Sequence, residues 1–157
     1  MGLTPSNPQM IIVVDTREQK PYSFASISPS PIIITSTLKS GDYSIQGYED
    51  QITIERKSLV DCFSSFGKGR KRFEAELARM SCYTFAAVVI EADWQTILRF
   101  PPSRSKLNSK TIYTSVIAWQ IRYGIHFWAV PNRAFAEKTT YRFLERFHKD
   151  ITDGKRL

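Results

Sequence analysis

The stretch Ile52–Asp61, ITIERKSLVD, changes its period half-way. Its first six residues alternate as a strand does, so Ile52, Ile54 and Arg56 share one face and Thr53, Glu55 and Lys57 the other. From Ser58 onward the spacing turns helical. Leu59, Cys62, Phe63 and Phe66 fall on one helix face, with Ser58 placed as the N-cap. An acid and a base therefore point the same way at the end of a strand that feeds a helix. Strand ends are where α/β sheets build sites, because side chains there leave a rigid scaffold.

The same grammar extends in both directions. Upstream, GDY at Gly41–Tyr43 opens a hairpin: Tyr43–Gln46, a turn near Gly47–Asp50, then Gln51–Lys57. MIIVVD at Met10–Asp15 predicts a buried strand, and PIIITSTL a second strand around Ile32–Thr37. Between them TREQKPYSFASISPSP, with three prolines, reads as a loop with at most a short turn. Downstream, Gly67–Gly69 breaks the first helix and another begins near Arg70. Its apolar stripe is Phe73, Leu77 and Met80, and Arg72, Glu76 and Arg79 form the adjoining stripe. TFAAVVIEA at Thr84–Ala92 is a strand ending in an acid, and DWQTILRF a short helix stopped by Pro101–Pro102. A helix from about Ser109 to Tyr123 carries Ile112, Val116 and Ile117, and Gly124 ends it. IHFWAVP is a short strand, and Arg133–Lys149 an amphipathic helix with Ala136, Thr140, Phe143 and Phe147 on one face. Interleaved strands and helices predict an α/β fold with three layers, and the hairpin requires a mixed central β-sheet flanked by helices. Residues 1–9 read as a flexible tail and residues 10–157 as a single domain.

A chain of 157 residues can bury one core. It lacks any apolar run near the roughly 20 residues that cross a bilayer. The expectation is a protein with no membrane partner, intracellular and cytoplasmic, in a bacterium or a phage-infected host. The opening MGLTPS fits the loose myristoylation pattern but no polybasic second anchor follows. Cys62 and Cys82 fall in helical segments with no CxxC or histidine partner, which reads as two reduced core thiols. His126 and His148 are similarly isolated, which argues against a histidine-held metal or a Cys/His nucleophile.

The net charge of +7 and the pI of ≈ 9.5 favour an anionic partner. Positive charge concentrates in KGRKR at Lys68–Arg72 and in RFPPSRSKLNSK at Arg99–Lys110, the latter with four basic residues and no acid. Phosphate contact is the reading these segments favour, with loop solvation as the alternative.

The acids are placed with equal regularity. Asp15 ends the first strand, Asp42 follows the second, Glu55 and Lys57 end the third, and Glu91 ends the fourth. Brought together, two carboxylates repel by about 4 kcal/mol at ~4 Å with an effective dielectric near 20. A cation or a basic side chain must offset that, and oxygen-only ligands suit magnesium or manganese. Such an ion held by Asp42 and Glu55 could polarise a phosphoryl oxygen and acidify a water. Lys57 beside it could orient or deprotonate that water, or neutralise charge developing on the phosphate. An Asp…Glu-x-Lys arrangement of this kind is the signature of restriction-type nucleases.

The longer pattern is more specific. VDTRE at Val14–Glu18, GDY at Gly41–Tyr43, ERKSLVD at Glu55–Asp61 and RFEAELARM at Arg72–Met80 follow one another in that order. Together they resemble the catalytic domain of the XPF-type structure-specific nucleases, whose hallmark is GD…ERKxxxD. IEAD at Ile90–Asp93 and the strand–helix at Ile125–Lys149 fit as well. The resemblance implies a restriction-endonuclease-like core and a Mg2+- or Mn2+-dependent endonuclease. Its implied substrate is branched or structured DNA in repair, recombination or replication.

Carried over by position, Asp15, Asp42 and Glu55 look like metal-site acids, joined by the backbone carbonyl of Arg56. Lys57 looks like the catalytic lysine. Arg17 and Glu18 look like members of the same polar cluster, with Asp61 a supporting partner one helical turn on. Arg72 looks like a phosphate contact with Glu76 behind it, and Arg70, Lys71, Arg104 and Lys106 complete the DNA-binding set. For Asp61 and Glu76, helix-end charge complementarity and a surface ion pair stand as alternatives. The chain stops at Leu157 with no room for the paired helix-hairpin-helix modules of many relatives. It therefore resembles the compact stand-alone version of phage and bacterial proteins, which leaves substrate geometry and a homodimer open. The Pro/Ser loop and the Arg99–Lys110 loop are then expected to supply grip on DNA. Two rival functions remain: a non-catalytic DNA-binding member of the family, and an RNase or restriction-type nuclease on the same core.

Overall fold

The computed structural model describes residues 8–157, so most of the expected tail, with the MGLTPS pattern, lies outside the described residues. The order of elements is β1 (Ile11–Asp15), β2 (Ile32–Ser36), β3 (Tyr43–Ile45), β4 (Ile52–Lys57), α1 (Leu59–Phe66), α2 (Arg70–Met80), β5 (Phe85–Ile90), α3 (Trp94–Arg99), α4 (Ser109–Tyr123), β6 (His126–Ala129) and α5 (Arg133–Thr152). One mixed sheet runs β2-β1-β3-β4-β5-β6. Only β3 is antiparallel to its neighbours β1 and β4, and the other pairings are parallel. The mixture follows from the short β3–β4 turn, as the hairpin requires.

Strand alternation sorts the layers. Glu55 lies beside Val88 and Lys57 beside Ile90, so these four share a face. That face is covered by α1, α2 and α4 through Cys62, Phe66, Phe73, Leu77, Ile112 and Trp119. The opposite face, with Val14, Tyr43, Ile54 and Val89, is covered by Ala136, Leu144 and Phe147 of α5. Two cores on either side of one sheet make the three layers. Each large side chain buried there contributes about 1.5–3 kcal/mol.

Several expectations change in the packed molecule. The loop between β1 and β2 is pinned to the fold by two aromatic residues, with most of its other residues exposed. Its Tyr22 and Phe24 are buried against Tyr43, and the Phe24 N–H donates to Glu137 Oε1 at 2.6 Å. Phe24 accepts a left-handed φ of 53° to do so, a strain that burial of the ring offsets. Cys82 is exposed because α2 ends at Met80, before it. Cys62 is buried, and burial pushes its thiol up to about 12. On α5 Leu144 is fully buried with Ala136 and Thr140, while Phe143 is half-buried against Phe85 and Trp128. Ile117 faces outward with Tyr113 and Ile121, so α4 carries an exposed apolar stripe. Among the described residues no helix is long and apolar enough to cross a membrane.

Candidate active site

The site begins at a glycine. Gly41 has φ +76°, and a Cβ there would sit 1.9 Å from Thr53 Oγ1. Only glycine lets the chain cross β4 so closely. Thr53 Oγ1 donates to the Ser40 carbonyl at 2.7 Å, and two backbone bonds then lock the next residue. The Asp42 N–H reaches the Ile54 carbonyl at 2.9 Å, and the Asp15 N–H reaches the Asp42 carbonyl at 2.8 Å. Asp42 is thereby fixed at the junction of β1, β3 and β4. Its Oδ2 accepts the Arg56 N–H at 2.8 Å.

Glu55 and Lys57 reach the same place from β4, their alternation intact. Lys57 Nζ lies 3.0 Å from Glu55 Oε1 and 4.6 Å above the Phe73 ring. A cleft of ≈ 360 Å³ opens over them, walled by α1 and α2 and lined also by Asp15, Arg17, Asp61, Arg72, Glu76 and Arg79. Burial, and then the charge of Asp42, holds the Glu55 carboxyl well above the usual range. Burial pushes Asp42 up to about 7. Burial lowers the Lys57 ammonium, but the charge and hydrogen bond of Glu55 outweigh it and the net shift is upward. The cleft holds crowded acids, with one ammonium in contact.

Asp15 stands apart from this pair in its bonding. Its Oδ1 accepts the Leu38 N–H at 2.8 Å and Arg17 Nη2 at 3.2 Å, and its Oδ2 accepts Arg17 Nε at 2.8 Å and the Arg17 N–H at 3.1 Å. Burial works upward on this carboxyl, yet the Arg17 and backbone hydrogen bonds win and hold it below its usual range. Its oxygens are held by these four hydrogen bonds, while it lines the same cleft as Asp42 and Glu55. Among the described residues no three acidic, His or Cys side chains form a ready-made metal centre. The donors that fit magnesium are Asp42 and Glu55, whose crowded negative charge Lys57 only partly offsets. Magnesium characteristically takes one or two carboxylates and keeps several waters.

The remaining expected residues separate by geometry. Glu18 lines a cavity together with Arg17, Asp42, Glu55 and Lys57, and its carboxylate takes Arg56 Nε at 3.1 Å and Nη2 at 3.2 Å. Arg56 also binds Glu91, which Arg133 approaches at 3.3 Å. Ser58 caps α1: its Oγ accepts the Asp61 N–H at 3.1 Å and donates to Asp61 Oδ2 at 2.7 Å, which holds Asp61 in the first turn. Asp61 remains exposed at the rim of the cleft. Arg72 lines the cleft from α2, whereas Arg70 is tied inward. The Arg70 Nη1 donates to Ser115 Oγ at 2.7 Å and its guanidinium covers Trp119 at 4.6 Å. These contacts join α2 to α4 and leave the Arg70 side chain 38% exposed. Lys71 is exposed on α2, and Arg104 and Lys106 line a separate groove beside α1. Glu76 and Arg79 belong to the cleft although the sequence placed neither among the catalytic residues. The signal was their shared stripe with Arg72, one turn apart on α2.

The ERCC4 domain model matches residues 14–143, most of the chain. The chain belongs to the ERCC4-domain family. Two solved structures share the fold. XPF from Aeropyrum pernix has a TM-score of 0.68 at 24% identity, covering 94% of this chain and 64% of that one. XPF from Aeropyrum pernix in complex with DNA has a TM-score of 0.65 at 25% identity, covering 93% of this chain and 66% of that one. The chain thus spans just under two thirds of the length of each structure. No curated protein matches it. The XPF-type resemblance and the α/β core with its mixed sheet are both borne out.

In this ERCC4 domain the crowded acids have a measurable cost. Asp42 titrates near 3.8 in an unfolded chain and near 7 in the fold. The folded state therefore holds its proton longer, and stability falls as pH rises between those values. Asp42→Asn keeps an oxygen for the Arg56 N–H and removes the charge. Without metal at pH 8 it is expected to stabilise the protein by about 4 kcal/mol, or about 8–16 °C in melting temperature. Near pH 4 the gain should vanish. Thermal melts in EDTA at the two pH values check this, and equal melting of both proteins at pH 8 would refute it.

Proposed function

We propose that this ERCC4 domain is a divalent-metal-dependent endonuclease that hydrolyses DNA phosphodiesters at branched or structured sites. The observation that carries the reading is the meeting of Asp42, Glu55 and Lys57 in one cleft whose rim bears Arg17, Arg72 and Arg79. Asp42 and Glu55, with the Arg56 carbonyl, would hold magnesium or manganese, which when bound polarises a phosphoryl oxygen and acidifies a water. Lys57 sets an ammonium beside the position of the scissile phosphate and holds Glu55 in place. Arg17 is itself held by Asp15 and the Leu38 carbonyl, so its charge is fixed at the rim. Arg72, exposed on α2, anchors the phosphate backbone. DNA as the polymer is supported by the family and by the DNA complex of a similar chain. The exposed apolar stripe Tyr113, Ile117 and Ile121 offers a homodimer its contact face. A role in repair, recombination or replication follows from branched DNA as substrate.

The test is a cleavage panel of single-stranded, duplex, flap, fork and four-way DNA, with a matched RNA set, in magnesium, manganese and EDTA. Cutting of the branched DNAs with either metal and silence in EDTA is the expected result. Undiminished cutting in EDTA removes the metal from the mechanism, and cutting of RNA alone supports the RNase reading.

A further inference from the structure

The catalytic cleft accounts for one side of α1. On the other side lies a second groove of ≈ 600 Å³, lined by Val60, Phe63, Gly67, Pro102 and Leu107, and by Lys68, Arg104 and Lys106. Ser64 borders both cavities, so α1 is the ridge between them. The groove's apolar residues, with the bare backbone at Gly67, leave a surface that gains nothing from water. The three cations are exposed and no acid lines the groove. A ligand that satisfies both halves must carry a flat apolar face and several negative charges on a short repeat. A paired duplex hides its base faces in its own stack and offers only phosphates. An unpaired strand offers both.

We propose that this groove binds an unpaired stretch of DNA, seating a base against Val60, Pro102 and Leu107 while Lys68, Arg104 and Lys106 contact the flanking phosphates. A strand leaving the cleft over Ser64 would enter it directly, so the groove selects substrates that are single-stranded beside the cut. The choice of DNA rests on the nuclease reading; the choice of an unpaired strand rests on the groove.

Binding measured by fluorescence anisotropy in EDTA tests this without any cutting. The probes are oligothymidine, an abasic strand of the same length, and a blunt duplex. Wild-type protein should hold oligothymidine at least about tenfold tighter than the abasic strand, since stacking of one base contributes on that scale. Lys68→Gln/Arg104→Gln/Lys106→Gln should weaken oligothymidine at least about tenfold. It should also lower the salt slope by about 2, from three single-strand phosphate contacts. Duplex affinity should change less than about threefold. Equal affinity of wild-type protein for oligothymidine and the abasic strand overturns the base seat. An equal loss on duplex, or no loss at all, overturns the choice of an unpaired strand. Arg104→Gln alone, at an exposed position, repeats the test should the triple variant melt abnormally. A failed cleavage panel would leave these binding results standing, and the reverse holds too.

Discussion

Lys57→Ala is expected to slow DNA cleavage by about 10²–10³-fold or more while leaving circular dichroism and DNA retention near wild type. The size follows from removing a fixed positive group aimed at charge that develops in the transition state. In the fold Lys57 contacts Glu55 and the Phe73 ring. Losing the ring contact costs only about 0.5–1 kcal/mol, too little to unfold a domain of this size. Losing the partner of Glu55 leaves a buried carboxyl that burial and Asp42 already hold above its usual range. The pH at which the variant becomes active should therefore move upward, a signature that a merely structural lysine would lack. Single-turnover rates across pH check both parts. Wild-type speed in the alanine variant would take Lys57 out of the mechanism.

Arg56→Ala should have the largest effect on stability, a loss of about 3–5 kcal/mol. Arg56 is the paired charge on the far side of β4, with side-chain exposure of 7%, against 6% for Glu18 and 7% for Glu91. Removing it strands two buried carboxylates, and Arg133 remains for only one of them. The melting temperature should fall by about 6–20 °C. The pH dependence has a definite sign. Burial raises the Glu18 carboxyl but its bonds to Arg56 outweigh that and hold it below the usual range. Glu18 thus contributes stability above its unfolded pKa near 4.5, and the contribution is lost as pH falls. Neutralising all three as Arg56→Met/Glu18→Gln/Glu91→Gln should recover most of the loss, because no unpaired charge remains buried. Urea midpoints of the two variants decide it, and a loss below about 1 kcal/mol in Arg56→Ala would refute the network's role.

Most of the elements were legible because they depend on near neighbours. The switch of period at Ser58 placed β4 and α1, and the alternation along β4 put Glu55 beside Lys57 and sent Arg56 to the other face. GDY likewise marked the entry to the hairpin, whereas the close approach of Gly41 to Thr53 shows only in the fold. Partners that lie far along the chain were not legible. Arg70 reads as a phosphate contact, and besides Glu74 one turn on, Ser115 and Trp119 hold it. Resemblance places Glu18 in one polar cluster with Arg17, and the fold adds Arg56 as its charge partner. The pinning of the Pro/Ser loop by Tyr22 and Phe24 against Tyr43 is of the same kind.

The sequence by itself determined the order of elements, the sheet's mixed character and the acid–lysine pair, since dihedral preference and side-chain period act over a few residues. Tertiary structure alone decided which carboxylates are supplied with donors and which are crowded. That depends on donors such as the Leu38 N–H, brought to Asp15 from 23 residues away. A carboxyl given four hydrogen bonds is held low, and one buried beside another acid is held high.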